Sequence, residues 1–378
     1  DFVLLYTEDA LAIGEYAETI LRDEIGRYFI MKEESIGPPK IYLGGHVRKV
    51  QLDNGVECWA FGSSQYVKSA VTNVETFLAK QKVERWKLPK TAETPMQTSY
   101  RPELDISPEL GPNEASYYQS LIGILRWMVE LGRVDICLEC SMLSSHLALP
   151  REGHLHQVFH VFAYLKKYHN TELVYDPSDP VIDEKDFARE DWASSEFGHL
   201  DGKEELPENM PMPRGMSFTM SAKVDADHAS DTVSRRSRTG FLIYLNCSLT
   251  YWMSRKQTSV ESSSFGSEFV AMKQCCEYLR GLRYKLRMMG IPCEGPAYIS
   301  GDNQSVLANT TIPNSTLKKK NQSICYHFVR EGVARDEWRT SYVNTHDNTA
   351  DLLTKQLPAG EKRGGFVRKL LHHIYSVS

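Results

Sequence analysis

The chain has 378 residues, of which 41% are apolar and 25% charged, and its formal net charge is −5. This composition is that of an ordinary soluble protein, and the length suggests two or three domains. The longest apolar runs, such as FLIYL at 241–245, are much too short to span a bilayer, so we expect no membrane protein.

The start of the chain and its thiols both indicate an intracellular protein. The sequence begins at Asp1 without a Met, a basic leader or a signal peptide, so we expect a fragment of a longer cytoplasmic or nuclear protein with no targeting signal. The eight Cys are scattered, and the pair Cys137 and Cys140 has no second pair at zinc-finger spacing. We therefore expect reduced, mostly buried thiols.

The first region reads as mixed α/β. LLYTED at 4–9 is a hydrophobic strand ending in two acids, which suits either a hairpin with an acidic tip or a metal-binding turn. Apolar spacing predicts a helix over 17–29, a strand over 41–50, and a short strand that runs into a helix over 59–80.

The middle of the chain changes character twice. After a Pro-rich linker at 81–110, large apolar residues recur at helical spacing over 113–170. From Asp176 to Glu208 there are twelve acids against three bases, which predicts a flexible acidic tether unable to build a core of its own. We expect four parts: 1–90, 91–175 with the linker and helices, the tether at 176–215, and an α/β domain at 216–378.

The last region is basic and has the clearest pattern of elements. Residues 216–378 carry 22 Lys and Arg against 14 Asp and Glu, whereas the first 215 residues carry 22 against 35. This asymmetry favours a polyanionic partner for the C-terminal part. The predicted order is β-β-β-α-β-α-α-β-α, with a closing helix over 348–357, which gives a mixed α/β domain whose first three strands are antiparallel.

Four acids of this domain fall where a strand or helix delivers them to one sheet edge: Asp225, Glu268, Asp302 and Asp351. Together they would repel strongly unless cations neutralise them, and oxygen-only ligands select Mg²⁺ or Mn²⁺. Two such ions support phosphodiester cleavage. Singly, each acid is also explained as a cap or surface charge. Asp227 lies on the same strand face as Asp225 and is an alternative first ligand.

These motifs resemble the Pol polyprotein of copia-type LTR retrotransposons, from the end of the reverse-transcriptase palm through the RNase H domain. The resemblance covers essentially the whole chain in collinear order. It is carried by stretches such as LLYTEDALAI, KIYLGG, YYQSLIGILRWMVELGRVDICLECSMLSSHLALP, DADHASDTVSRRSRTGFLIYL, SSSFGSEFVAM, SGDNQSV and NTHDNTADLLTKQL. It implies a partial palm, a helical connection region and an RNase H-like domain with a five-stranded mixed sheet. It also implies that Asp225, Glu268, Asp302 and Asp351 hold two metal ions, with Asp225 rather than Asp227 as the first acid.

The same resemblance gives the opening motif a meaning. The family's palm turn reads Tyr, any residue, Asp, Asp, whereas here Tyr6 and Thr7 precede Glu8 and Asp9, so the first acid is one methylene too long. The other palm acid and the fingers lie upstream in the family. We therefore expect a degenerate turn, no polymerase activity from this chain alone, and the missing fingers and palm as a possible partner.

An RNase H must grip an RNA/DNA hybrid by its phosphates and 2′-hydroxyls. For each basic residue a solvated surface charge is an equal alternative. His346, five residues before Asp351, is a candidate proton shuttle in a loop. The candidate contacts to the hybrid are Arg235, Arg236, Arg238, Arg255, Lys256, Asn303, Gln304, Lys318, Lys319 and Lys320.

The sequence thus predicts a ribonuclease H that cuts the RNA strand of a hybrid and leaves 3′-hydroxyl and 5′-phosphate ends. The alternative is a retroelement remnant that folds and at most binds nucleic acid. A third hypothesis makes the palm and linker a scaffold that needs the missing fingers to fold, with exposed apolar surface where they would pack.

Overall fold

The structure is a computed structural model that describes residues 1–7, 9–32, 36–81, 85–198, 207–317 and 322–375. The described residues form three sheets, of two, four and five strands, together with helices on the larger sheets. The predicted mixed α/β fold class is therefore confirmed. Within the described part of the chain, no helix combines the length and the apolar character needed to cross a lipid bilayer.

The first region contains the predicted strands, but its first helix is irregular. A hairpin of two strands leads into one α-helical turn, followed by π-helical (Ile20–Glu24) and 3₁₀ (Ile25–Arg27) segments where a single helix over 17–29 was expected. Three further strands and a long helix follow. The elements are β1 (Phe2–Tyr6), β2 (Asp9–Ile13), α1 (Ala17–Thr19), β3 (Ile41–Tyr42), β4 (Gly45–Gln51), β5 (Glu57–Gly62) and α2 (Ser64–Gln81).

The helical block follows the Pro-rich linker, as its periodicity predicts. It ends in a short strand that pairs antiparallel with β5, so the four-stranded sheet has the order β3-β4-β5-β6 and joins the block to the first region. The elements of the block are α3 (Pro112–Glu130), α4 (Cys137–Ser144), α5 (Glu152–Lys167) and β6 (Leu173–Tyr175).

The acidic segment has aromatic anchors that its charge count conceals. Trp192 is buried beneath the guanidinium of Arg330, 4.8 Å from the ring centroid, and Phe187 packs edge-on against Tyr298 with centroids 5.1 Å apart. The described part of the segment up to residue 198 therefore packs on the C-terminal domain. The prediction of a free tether did not anticipate this packing.

The C-terminal domain is built on the five-stranded sheet, in the order β11-β10-β7-β8-β9. Strands β7, β8 and β9 are antiparallel, and β10 runs parallel to both β7 and β11, so the predicted mixed sheet is confirmed. The elements are β7 (Met220–Ala226), β8 (Arg238–Leu245), β9 (Ser248–Lys256), α6 (Ser264–Met288), β10 (Ala297–Gly301), α7 (Gln304–Thr311), α8 (Ser323–Ala334), β11 (Trp338–Tyr342) and α9 (Glu361–Leu370).

The prediction of the last helix was wrong in place and type. The stretch 348–357 contains only a short 3₁₀ helix, Thr349–Leu353, and the true closing helix is α9. Gly364 and Gly365 lie inside α9 and lower its intrinsic helix propensity, which hides it from a sequence pattern. The helix is held instead by burial of Phe366 and Val367.

The two faces of the five-stranded sheet belong to different cores. Along β8, Phe241 and Ile243 pack in the cluster that contains α6, whereas the intervening Leu242 belongs to the cluster of the helical block. Leu353 and Phe366 join that second cluster. The helical block thus forms the second layer on the C-terminal sheet, across the predicted boundary at 216.

A buried ionic network ties α9 to the helical block. Asp135 accepts two hydrogen bonds from the guanidinium of Arg133, at 2.8 and 2.7 Å, and one from the hydroxyl of Tyr164 at 2.9 Å. Arg363 of α9 donates to the Asp135 carbonyl at 3.0 Å and to the Tyr164 hydroxyl at 3.2 Å. Because the side chains of Arg133 and Asp135 are inaccessible to solvent, each needs the other as its counter-charge.

We expect Asp135→Asn to lower the free energy of unfolding by about 3–5 kcal/mol, because it leaves the buried Arg133 charge without its partner. Urea denaturation measures the change. The control is Glu57→Gln, which removes an exposed ion pair to Lys49 and should change stability by less than about 1 kcal/mol. Equal effects of the two variants would contradict a structural role for the network.

Candidate metal centre and nucleic-acid interface

Three carboxylates converge at one edge of the five-stranded sheet. Asp225, Glu268 and Asp302 each offer an oxygen, and these oxygens all lie within 4.8 Å of one another. We call these three residues the acidic triad. They come from β7, from α6 and from the turn after β10, so three segments far apart in sequence meet at this point.

Asp225 owes its position to a close approach between β8 and the 3₁₀ helix. It pairs in register with Gly240, and a Cβ on that glycine would lie 2.7 Å from the Leu353 Cβ and from the Thr354 Cγ2. Glycine is therefore required for the 3₁₀ segment to lie against the strand. The hydroxyl of Thr354 can then donate a hydrogen bond to the second oxygen of Asp225.

Asn348 fastens the same segment to β7. Its side-chain oxygen accepts from the Ala350 N–H at 3.2 Å and caps the 3₁₀ helix, while its amide donates to the Val224 carbonyl at 3.0 Å. Val224 directly precedes Asp225 in β7. The cap therefore fixes where the 3₁₀ helix, which carries Asp351, lies along the strand that carries Asp225. Asn348 itself is completely buried.

The other triad residues are set by helix starts. Ser263 caps α6 by accepting from the Gly266 N–H, and Glu268 follows in the second turn of the helix. Asp302 immediately precedes Asn303, whose side chain caps α7 by accepting from the Val306 N–H at 3.2 Å. Asp302 is partly exposed.

Burial and mutual repulsion make Asp225 and Glu268 reluctant to ionise. Burial raises the pKa of Asp225 to about 6, against the opposing effect of Lys355. Burial, and then the charges of Asp225 and Asp302, raise the pKa of Glu268 to about 9. In the absence of a cation, Glu268 therefore binds a proton at neutral pH.

Asp351 lies beside the triad but is already neutralised by lysines. Its Oδ1 accepts from Lys355 at 2.6 Å and its Oδ2 from Lys362 at 2.7 Å, although its side chain has no exposure to solvent. Lys355 also lies 3.2 Å from the Asp225 Oδ1. Burial opposes the charge of Lys355, yet Asp225 and Asp351 together raise the pKa of its ammonium above the ordinary lysine value.

Asp227 has a different role from Asp225. It follows the end of β7, where its carboxylate accepts from the Arg238 N–H and its own N–H donates to the Arg238 carbonyl at 3.1 Å. These bonds extend the β7–β8 pairing by one residue. The metal-ligand geometry includes Asp225 and leaves Asp227 out.

The donor set of the triad suits one hard divalent cation. Its ligands are carboxylate oxygens, which hard cations prefer. The pKa of Glu268 is raised partly because other negative charges lie close by, and a bound cation would offset that repulsion. A second ion held by Asp225 and Asp351 does not fit the residues as they lie, because both Asp351 oxygens already accept from lysines.

The predicted hybrid contacts divide into exposed and internal residues. Arg235, Arg236 and Arg255 are exposed, whereas Arg238 is buried and donates to the hydroxyls of Ser141 and Ser254. Arg238 therefore joins α4 to β9 and turns away from solvent. The three lysines predicted to contact phosphates, Lys318, Lys319 and Lys320, lie outside the described residues.

The remaining candidates differ in what they contact. Lys256 is paired with Asp231 at 2.6 Å, and Gln304 is exposed at the start of α7. Asn303 is already engaged as the α7 cap. His346 is exposed in the loop between β11 and the 3₁₀ helix, where its N–H donates to Asn344. No contact of its imidazole with an acid is found among the described residues.

The opening turn is a hairpin whose second acid has a structural contact. Tyr6 pairs with Asp9 across β1 and β2, and the Asp9 carboxylate accepts from the Leu43 N–H at 3.2 Å. Tyr6 stacks on Trp127 of α3 with ring centroids 5.9 Å apart. Glu8, the altered acid of this turn, lies outside the described residues.

Sequence reasoning missed the lysines of the site. Lys355 is four residues after Asp351, a spacing that brings two side chains together on a helical turn and so could have revealed it. Lys362 carries no such signal, because only the packing of α9 against the 3₁₀ helix brings it to Asp351.

The five-stranded mixed sheet with acids converging at its edge has the architecture that the sequence resemblance predicts for an RNase H-like domain. The chain is also similar to known proteins. The chain is 25% identical over 360 residues to the retrovirus-related Pol polyprotein from transposon RE2 of Arabidopsis thaliana, covering 94% of this chain and 21% of that protein. It is 22% identical over 366 residues to the Pol polyprotein from transposon TNT 1-94 of Nicotiana tabacum, again covering 94% of this chain and 23% of the relative.

The predicted resemblance to retrotransposon Pol polyproteins is thereby confirmed. The chain spans about a fifth of the length of these curated relatives. No family model matches the chain. Among solved structures, RNase H1 from Halobacterium salinarum aligns with 36% of this chain and 94% of its own, at 15% identity and a TM-score of 0.28.

The raised pKa of Glu268 predicts how the metal-free protein responds to pH. Between the ordinary value near 4.5 and about 9, the folded state binds a proton that the unfolded state has lost. Stability without metal should therefore fall as pH rises through this window. Urea midpoints measured in a chelator test this expectation.

Glu268→Gln should flatten that decline, because the substituted side chain does not titrate. The matched control is Glu294→Gln, an exposed glutamate of the same domain, which should keep the slope of the parent. A slope that is unchanged in Glu268→Gln would show that the carboxylate is not desolvated as the geometry implies.

Proposed function

We propose that the chain is a divalent-metal-dependent ribonuclease H that cuts the RNA strand of an RNA/DNA hybrid. The observation that carries the proposal is the convergence of Asp225, Glu268 and Asp302 within 4.8 Å at the edge of the five-stranded sheet. The similarity to retrovirus-related Pol polyproteins from plant transposons agrees with the RNase H resemblance of the C-terminal motifs and supports the same reaction class.

The triad residues would hold Mg²⁺ or Mn²⁺. Bound there, the ion would activate a water and stabilise charge on the phosphate, giving 3′-hydroxyl and 5′-phosphate ends. Asp225 is held by Thr354 and Lys355, so its carboxylate is oriented before the ion arrives. Glu268 must release its proton on metal binding, so affinity for the ion should rise with pH.

Basic residues beside the triad would bind the hybrid. A cleft of about 260 Å³ opens next to the site and is lined by Arg101, Lys256 and Lys355 together with Asp227. The exposed Arg235 and Arg236 lie on the loop between β7 and β8. The exposed Arg101, Arg235 and Arg236 suit a phosphate backbone, whereas Lys256 and Lys355 are paired with carboxylates and the deeper Arg238 acts in packing.

We assign a structural role to the opening hairpin. The bond from the Leu43 N–H to Asp9 joins it to the four-stranded sheet, and Tyr6 attaches it to α3. The apolar residues Leu4 and Leu5 are 57% and 59% exposed and lie on opposite faces of the hairpin, which leaves both faces available to another part of a palm.

The proposal predicts that the purified chain cleaves a labelled RNA/DNA hybrid in Mg²⁺ or Mn²⁺. Asp302→Asn should lower the rate at least about 100-fold, because it removes a metal ligand, and even outer-shell partners contribute 10–100-fold. Glu294→Gln is the control for an exposed acid of the same domain and should leave the rate unchanged. A folded parent that does not cut would favour the alternative of a remnant that only binds nucleic acid.

The exposed arginines predict the salt dependence of binding. Arg235→Gln combined with Arg236→Gln should weaken hybrid binding and reduce the slope of log affinity against log salt by up to about 2, because each lost phosphate contact contributes about 0.9. Fluorescence anisotropy in a chelator measures this. The charge-matched control, Lys87→Gln with Lys90→Gln, lies in the linker. An equal loss of affinity in that control would show that binding depends on net charge alone and not on these two arginines.

A further inference from the structure

Lys355, which contacts Asp351, occupies the position that the prediction of two metal ions assigns to the second ion. The Lys355 ammonium lies 2.6 Å from the Asp351 Oδ1 and 3.2 Å from the Asp225 Oδ1. Asp225 and Asp351 are the pair of acids that would share a second ion. A single positive group of this chain therefore already bridges both.

The ammonium of Lys355 is held in place both by the backbone of its own residue and by the two carboxylates that it contacts. Its own N–H donates to the Asp351 carbonyl at 2.9 Å, so the backbone of Lys355 is fixed one helical turn beyond that acid. The two carboxylates that it contacts have no solvent exposure, whereas 38% of the lysine side chain remains exposed. The ammonium thus stands at the mouth of a buried acidic pair.

Lys362 reinforces Asp351 without taking part in the bridge. It reaches the Asp351 Oδ2 at 2.7 Å from the first turn of α9. In the part of the chain that the structure describes, its ion pair is to Asp351, whereas Lys355 contacts both Asp351 and Asp225. The two lysines therefore provide a natural comparison between neutralising one acid and bridging two.

A free divalent ion would have to displace a tethered cation to enter this position. The ammonium is linked covalently to the acids that it serves, so its effective concentration is far above that of a dissolved ion. The triad also includes Glu268 and Asp302, with which Lys355 forms no ion pair among the described residues. One position is thus filled by the chain and one is left for a metal.

We propose that the ammonium of Lys355 acts as the second cation of the site. The chain then binds one divalent ion, at the acidic triad, and the ammonium takes the place of a second ion between Asp225 and Asp351. This inference rests on the proposed function for the identity of the triad as the metal site. Lys355 is a positioning residue for Asp225 and Asp351, and it excludes a second ion from the space between them.

The test counts Mn²⁺ ions bound to the full chain, using the loss of the paramagnetic resonance signal of free Mn²⁺. The parent should bind one ion. Lys355→Met should bind two, because it frees the facing oxygens of Asp225 and Asp351. Lys355→Arg, which restores a cation, should return the count to one.

Lys362→Met is the matched control and should bind one ion, because the bridge remains intact. Circular dichroism confirms that each variant is folded before ions are counted. Two ions in the parent, or one ion in folded Lys355→Met, would overturn the inference and leave the proposed function standing. Binding of no ion by the parent would overturn both, and hybrid cleavage measured separately distinguishes these cases.

Discussion

Repulsion between carboxylates at one edge of the five-stranded sheet is the constraint that organises the rest of the site. Two unit charges about 4 Å apart repel by about 4 kcal/mol at an effective dielectric constant near 20. The triad oxygens lie within 4.8 Å of one another, and Asp225 is fully buried. The fold must therefore supply protons or cations. Glu268 takes up a proton, and Lys355 supplies a cation.

The same constraint explains why the C-terminal sheet does not stand apart from the helical block. Lys355 and Asp351 reach the acids only because the 3₁₀ segment lies against Gly240, and that segment is held by Leu353 and by α9. Both belong to the core of the helical block. The buried network around Asp135 then fixes α9. The position of a charged side chain at the site thus depends on Asp135, which precedes Arg363 of α9 by 228 residues.

The sequence predicts the parts of this arrangement that local patterns control. Strand alternation and helix starts locate Asp225, Glu268 and Asp302 at element ends, and the structure brings these three together. It predicts less well what tertiary packing decides. The inward turn of Arg238 and the reach of Lys362 depend on neighbours far away in sequence.

Composition misleads in a comparable way where a few residues outweigh many. The acidic segment reads as a free tether because charges dominate its count, yet Trp192 and Phe187 are enough to pack it against the C-terminal domain. In α9 the two glycines lower the helix propensity of the sequence, so the helix is not predicted. The buried side chains of Phe366 and Val367 nevertheless hold it in place. Both errors arise because averages over a window do not weight burial.

The positive charge of the C-terminal region is divided between two tasks, and this limits what it can offer a nucleic acid. Lys355 and Lys362 serve the internal acid Asp351, and Lys256 is paired with Asp231. A lysine already paired with a carboxylate releases fewer phosphate counterions than its charge suggests. The salt dependence of hybrid binding should therefore follow the exposed arginines of the β7–β8 loop more closely than the net charge, because the site consumes part of that charge itself.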